Sequence, residues 1–117
     1  MADGQKQFIA ELTPEAEKQL LELDTKYRIR IAEAIRTFEY VGLHYKNIND
    51  LGNGLFEIKP SDVRAYFMYD KTRRRIIIVG FITLKKTQKA PKQYKEQAIR
   101  NIEKYLNNME SETCKKN

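Results

Sequence analysis

The chain has one histidine and one cysteine among its 117 residues. A lone cysteine forms no internal disulfide, and Cys114 falls in the polar stretch Glu110 to Asn117, where it reads as a frayed free thiol and not a nucleophile. One histidine and one cysteine make no transition-metal ligand set, which closes off a large class of hydrolases. No metal and no cofactor is expected. No apolar run approaches the roughly 20 residues that a bilayer-spanning helix needs. Met1 to Gln7 is polar and lacks the apolar region of a signal peptide, so the expected location is the cytoplasm, away from membranes.

What the chain does have is positive charge, unevenly spread. The formal net charge is +6. Between Lys59 and Lys104 there are thirteen Lys or Arg against four Asp or Glu, whereas residues 1–58 hold seven basic and ten acidic side chains. The excess is therefore a patch, and tyrosines interleave with it. A basic surface of this kind points to a polyanion, with nucleic acid the first candidate. The length suits one domain over residues 1–117, with 1–5 and 110–117 expected to be flexible.

Local patterns suggest an α+β fold. Lys6 to Leu12 reads as a short strand with Phe8 and Ala10 on one face. Thr13-Pro14-Glu15 reads as a helix start, with Thr as cap and Glu15 and Glu17 in the first turn. Asp24 is the expected cap of a second helix, whose stripe is Tyr27, Ile31, Ala34, Ile35, Phe38 and Val41; Gly42 stops it. His44 to Gly54 loses periodicity and reads as a loop. Strands are expected at Leu55 to Ile58, Val63 to Tyr69 and Arg75 to Leu84, with a turn at Asp70 to Arg73. Pro91 opens a closing helix carrying Tyr94, Ala98, Ile102, Tyr105, Leu106 and Met109. The expectation is a small antiparallel β-sheet with an N-terminal helix pair and a C-terminal helix, all helices on one side.

Four segments carry a family resemblance: Gly54-Leu55-Phe56-Glu57-Ile58-Lys59, Val63-Arg64-Ala65-Tyr66-Phe67, Ile78-Val79-Gly80-Phe81, and Lys85-Lys86-Thr87-Gln88-Lys89-Ala90-Pro91. Together they resemble the RelE/ParE superfamily, in its phage-derived HigB-like branch of type II toxin–antitoxin systems. The resemblance covers roughly Leu51 to Ile102. It implies a RelE-like fold and a metal-independent endoribonuclease that cuts mRNA on the ribosome. It also implies a cognate antitoxin bearing a helix-turn-helix. Lys59 falls where the family commonly has Arg, Arg64 matches the Arg of the next strand, and Lys85, Lys86 and Lys89 match its basic element. Phe56 replaces the usual Trp. Thr83 stands where an aromatic is common, and Phe81 is the aromatic on the same strand face.

The residue types suit this chemistry. RNA carries its own nucleophile, the 2′-hydroxyl, so a catalyst need only align it and manage protons and charge. Arg64 is the candidate to hold the phosphorane oxygens, because a guanidinium fork fits two of them. Lys59, Lys85 or Lys86 is the candidate base, since neighbouring cations lower a lysine's pKa. Tyr66 and Tyr69 are rings able to stack on a base or donate a proton. Arg73, Arg74, Arg75, Lys89 and Lys92 are expected to help hold RNA.

Each residue also has a plainer reading. Arg64 reads as an exposed cation, Lys59 as a strand end before Pro60, and Arg73 to Arg75 as solvated charge guarding an edge. Tyr69, Tyr94 and Tyr105 read as core, and His44 is left out of the site. Two other functions share the pattern: a ParE-like toxin that binds DNA gyrase, and an RNA-binding module without turnover. In either toxin reading an antitoxin segment bearing carboxylates is expected to cover a basic groove between the strands and the last helix.

Overall fold

The computed structural model describes residues 5–85 and 90–116, with side chains described as far as Glu110. In chain order the elements are β1 (Ile9–Leu12), α1 (Pro14–Glu22), α2 (Thr25–Val41), a 3-10 turn (Gly42–His44), β2 (Ile48–Gly52), β3 (Leu55–Ile58), β4 (Val63–Tyr69), β5 (Ile76–Leu84) and α3 (Lys92–Lys116). The sheet runs in the order β1-β5-β4-β3-β2. Strands β2 to β5 pair antiparallel, and β1 adds to β5 in parallel, Ile9 opposite Ile76.

The N-terminal half follows its local signals. Thr13 caps α1 by accepting the Ala16 N–H at 3.1 Å, with Pro14 in the first turn. On α2 the buried stripe is Ile31, Ala34, Ile35 and Phe38, and Asp24 sits at the cap position without a side-chain cap bond. The helix pair packs on the sheet face formed by Ile58, Val63, Ala65, Phe67, Ile77, Val79 and Ile82. Phe38 is fully buried there, 5.0 Å from Phe67 between ring centroids. Cutting such a residue back to alanine costs about 3–5 kcal/mol.

Two expectations are corrected. The stretch read as a loop contains an edge strand, with Asn49 opposite Glu57 and Asp50 opposite Phe56. Its sequence, INDLG, shows no alternation because backbone pairing with β3 holds it, and little of it is buried. The helices also do not share one side. Helix α3 covers the opposite sheet face, where Leu55, Tyr66 and Ala98 form a second core with Phe81, Tyr94 and Ile99 around it. The sheet is thus buried on both faces, which strand periodicity alone does not reveal.

A bulge makes room for α3. Tyr66 opposes Phe81 but Phe67 opposes Val79, leaving Gly80 as the extra residue of β5. A Cβ there would stand 2.6 Å from the Ala98 carbonyl oxygen. The Gly80 carbonyl accepts a hydrogen bond from Asn101 Nδ2 at 2.9 Å. Helix and strand are in contact through the missing side chain.

Candidate functional site

Strand register decides which cations meet. β3 ends at Ile58, β4 begins at Val63 and β5 ends at Leu84, so Lys59, Arg64 and Lys85 gather at one end of the sheet. Arg64 lies opposite Thr83, on the α3 face with Tyr66 and Phe81. The backbone N–H of Lys59 donates to the Asn47 carbonyl at 2.8 Å, and that of Lys85 to the Asp62 carbonyl. Lys59 and Lys85 are half-buried. Lys86 and Lys89 lie outside the described residues.

Arg64 is not the exposed cation of its plainer reading. Its side chain is 11% exposed, with Nε 3.5 Å from Glu57 Oε2. Nη1 donates to the Ser61 and Val63 carbonyls. Glu57 is buried as well, and its Oε1 accepts from Asn49 Nδ2 at 3.1 Å. The carboxylate and two carbonyls thus hold the guanidinium in one plane, while Nη2 makes no hydrogen bond among the described residues. Such an arrangement leaves the N–H groups of Nη2 for an anion. Sequence reading missed Glu57, although the signal was there: it alternates in phase with Leu55, so it had to point into a core beside an arginine strand.

Tyr66, expected to stack on a base, is 1% exposed beneath α3. Its ring centroid is 6.0 Å from that of Phe81, which lies 5.1 Å from that of Tyr94. Burial, then the charge of Glu57, pushes its phenol well above the usual range, so it stays protonated. The correction follows from α3 closing over this face. Tyr69 packs against the α1 and α2 core, as its plainer reading held.

The three arginines at the hairpin turn sit at the other end of β4, roughly 20 Å from Arg64. Arg73 has all three nitrogens engaged: Nη1 and Nη2 donate to Glu11 at 2.9 and 2.8 Å, and Nε donates to Asp70 at 2.7 Å. Tyr105 of α3 donates to the same Glu11 at 2.8 Å. The Arg73 hydrogen bond holds the Glu11 carboxyl below its usual range. Burial alone would raise the Asp70 carboxyl, but donors from Arg73 and Thr72 outweigh it and hold it at about 2. This network ties β1, the turn and α3 together, so Arg73 reads as a structural clamp and not an RNA contact. Arg74 and Arg75 are both exposed, and Arg75 donates Nε to the Gln7 carbonyl at 2.9 Å. Lys92 is exposed at the start of α3, 3.9 Å from Glu96.

Beside Arg73 a groove of about 530 Å³ runs between the turn and the C-terminal half of α3. Its floor includes Met68, Ile102, Leu106 and Met109. Its lining mixes Lys71 and Arg73 with Asp70, Glu103 and Glu110, so it is not the basic groove expected from sequence. Among the described residues no three His, Cys, Asp or Glu gather in a way that could hold a metal ion. None of their helices is long and apolar enough to cross a membrane.

The model of the phage derived protein Gp49-like family matches residues 18–103. The chain belongs to this family. Solved structures place the Gp49-like fold beside RelE. One is the toxin–antitoxin complex RelBE2 from Mycobacterium tuberculosis, at 15% identity and TM-score 0.57, covering 67% of this chain and 98% of that one. Another is the archaeal RelE–RelB complex from Pyrococcus horikoshii OT3, at 18% identity and TM-score 0.55, covering 67% and 94%. No curated protein matches this chain. The fold is RelE-like, as the resemblance implied.

Proposed function

We propose that this Gp49-like protein is the toxin of a type II toxin–antitoxin pair, an endoribonuclease that cuts mRNA on the ribosome. The observation that carries the reading is the gathering of Lys59, Arg64 and Lys85 at one end of a RelE-like sheet, with Arg64 held by Glu57. In the proposed reaction the RNA 2′-oxygen attacks the adjacent phosphorus and loses its proton to a base, either Lys59 or Lys85. The phosphorus–5′-oxygen bond breaks, and the 5′-oxygen takes a proton from the other of these two lysines, which enters the step as an ammonium. The products are a 2′,3′-cyclic phosphate and a 5′-hydroxyl. Arg64 stabilises the extra negative charge of the phosphorane. Water is not consumed and no cofactor is needed for this step.

A partner follows from the same reading. The two solved structures above are toxin–antitoxin complexes, and this chain is proposed to have its own antitoxin, bearing a helix-turn-helix. The apolar groove beside Arg73 is its proposed seat, because a trough with charges of both signs in its lining suits an amphipathic segment.

The test is purified protein added to a translating extract, with mRNA ends mapped and their chemistry determined. Cuts that require translating ribosomes and leave a 5′-hydroxyl are expected. Intact mRNA in the extract, from a protein that arrests growth when expressed in cells, would instead favour a gyrase-directed toxin.

A further inference from the structure

The sheet face that carries Arg64 also carries a second feature that the cleavage chemistry does not use. Between the tip of the β2–β3 hairpin and the first turns of α3 lies a pocket of about 300 Å³. That is the small end of the roughly 300–1,000 Å³ range of ligand pockets, a size for one planar ring system and not for a helix. Leu51, Leu55 and Ile99 give it an apolar floor. Lys92 and Lys95 stand at its rim.

The hairpin wall is open backbone. Gly52, Asn53 and Gly54 all have positive φ, at 89°, 55° and 81°, and a Cβ at Gly52 would meet nothing within 4 Å. A flat ligand can therefore come close to the main chain. Asn53 and Glu96 add an amide and a carboxylate, groups that read the donor and acceptor edges of a base. The Lys92–Glu96 pair spans 3.9 Å with both side chains exposed, so it yields readily to a ligand.

We propose that this pocket takes one unstacked nucleobase of bound RNA and biases which base lies near the cut. The proposal rests on the RNA-directed reading above. Leu55 pairs with Met68, four residues from Arg64 along β4, which puts the pocket roughly 13 Å from the Arg64 backbone on the same face. An apolar floor receives the face of the ring, and the rim lysines meet the flanking phosphates. A peptide from an antitoxin is the weaker occupant. It needs a longer trough, which the groove beside Arg73 supplies, and carboxylates on such a segment would face Glu96 here.

The experiment uses RNA carrying single 4-thiouridines, photo-crosslinked to the full-length protein, with the modified peptides mapped by mass spectrometry and cut sites mapped in parallel. Crosslinks are expected on segments 51–55 and 92–99, and they should fall at least about tenfold in Ile99→Trp, which fills the pocket. Glu96→Gln, on the exposed side of the helix, serves if that variant fails to fold; it should shift base preference at the cut about tenfold. Crosslinks only elsewhere, with unchanged base preference, would overturn the pocket and leave the nuclease reading standing. Crosslinks here from a wild type that cuts nothing would sink the nuclease and keep the pocket as an RNA site. Weakened antitoxin capture in both variants, with RNA crosslinks unchanged, would assign the pocket to the partner and end the proposal.

Discussion

Two arginines at opposite ends of β4 and its turn look alike in sequence and differ in what surrounds them. Arg73 makes three hydrogen bonds to two carboxylates, and its side chain is 33% exposed. Arg64 faces one carboxylate at 3.5 Å and two backbone carbonyls, and is 11% exposed. The more exposed arginine has every nitrogen bonded and the buried one does not. Exposure alone is thus a poor guide to which cation still has a donor to offer. What counts is whether the protein already supplies the anions.

The largest break in this comparison should come from Arg64→Ala. On the proposed reaction, loss of the charge that stabilises the phosphorane is expected to lower cleavage by about 10²–10³-fold. Urea unfolding should also show a loss of about 2–4 kcal/mol, because Glu57 is left buried without its cation. Glu57→Gln keeps the shape and the Asn49 contact, so a smaller stability loss of about 1 kcal/mol is expected by the same measurement.

At the other end, pH sharpens the contrast. The Asp70 carboxyl is held at about 2 in the folded protein, below its ordinary 3.8. A depressed carboxylate adds stability that is present above its unfolded value and lost as pH falls through the folded one. For Asp70 this is about 2 kcal/mol, lost between about pH 4 and pH 2. Glu11, lowered by Arg73, adds to it in the same direction. Thermal melts of Arg73→Met should show a flatter acid limb than wild type. Tyr105→Phe is the mildest change, removing one hydrogen bond to Glu11 at a cost of about 1 kcal/mol with cleavage unchanged.

Much of this is legible in the sequence. The cap at Thr13, the α2 stripe and the two faces of β4 follow from spacing and residue type, and the four quoted segments carried the family. The rest depended on tertiary pairing. β2 has no alternation to read. Nothing local shows that β1 joins β5 in parallel, or that α3 lies across the face bearing Tyr66. The run Arg73-Arg74-Arg75 looked uniform, yet only Arg73 sits between Glu11 and Asp70, partners that the sequence places 62 and three residues away.

The most direct measurement puts both arginines into one assay: translating extract, mapped mRNA ends, and equal amounts of folded wild type, Arg64→Ala and Arg73→Ala. The account predicts that Arg64→Ala loses the cuts while Arg73→Ala keeps them at the same positions. Undiminished cutting by Arg64→Ala would contradict it.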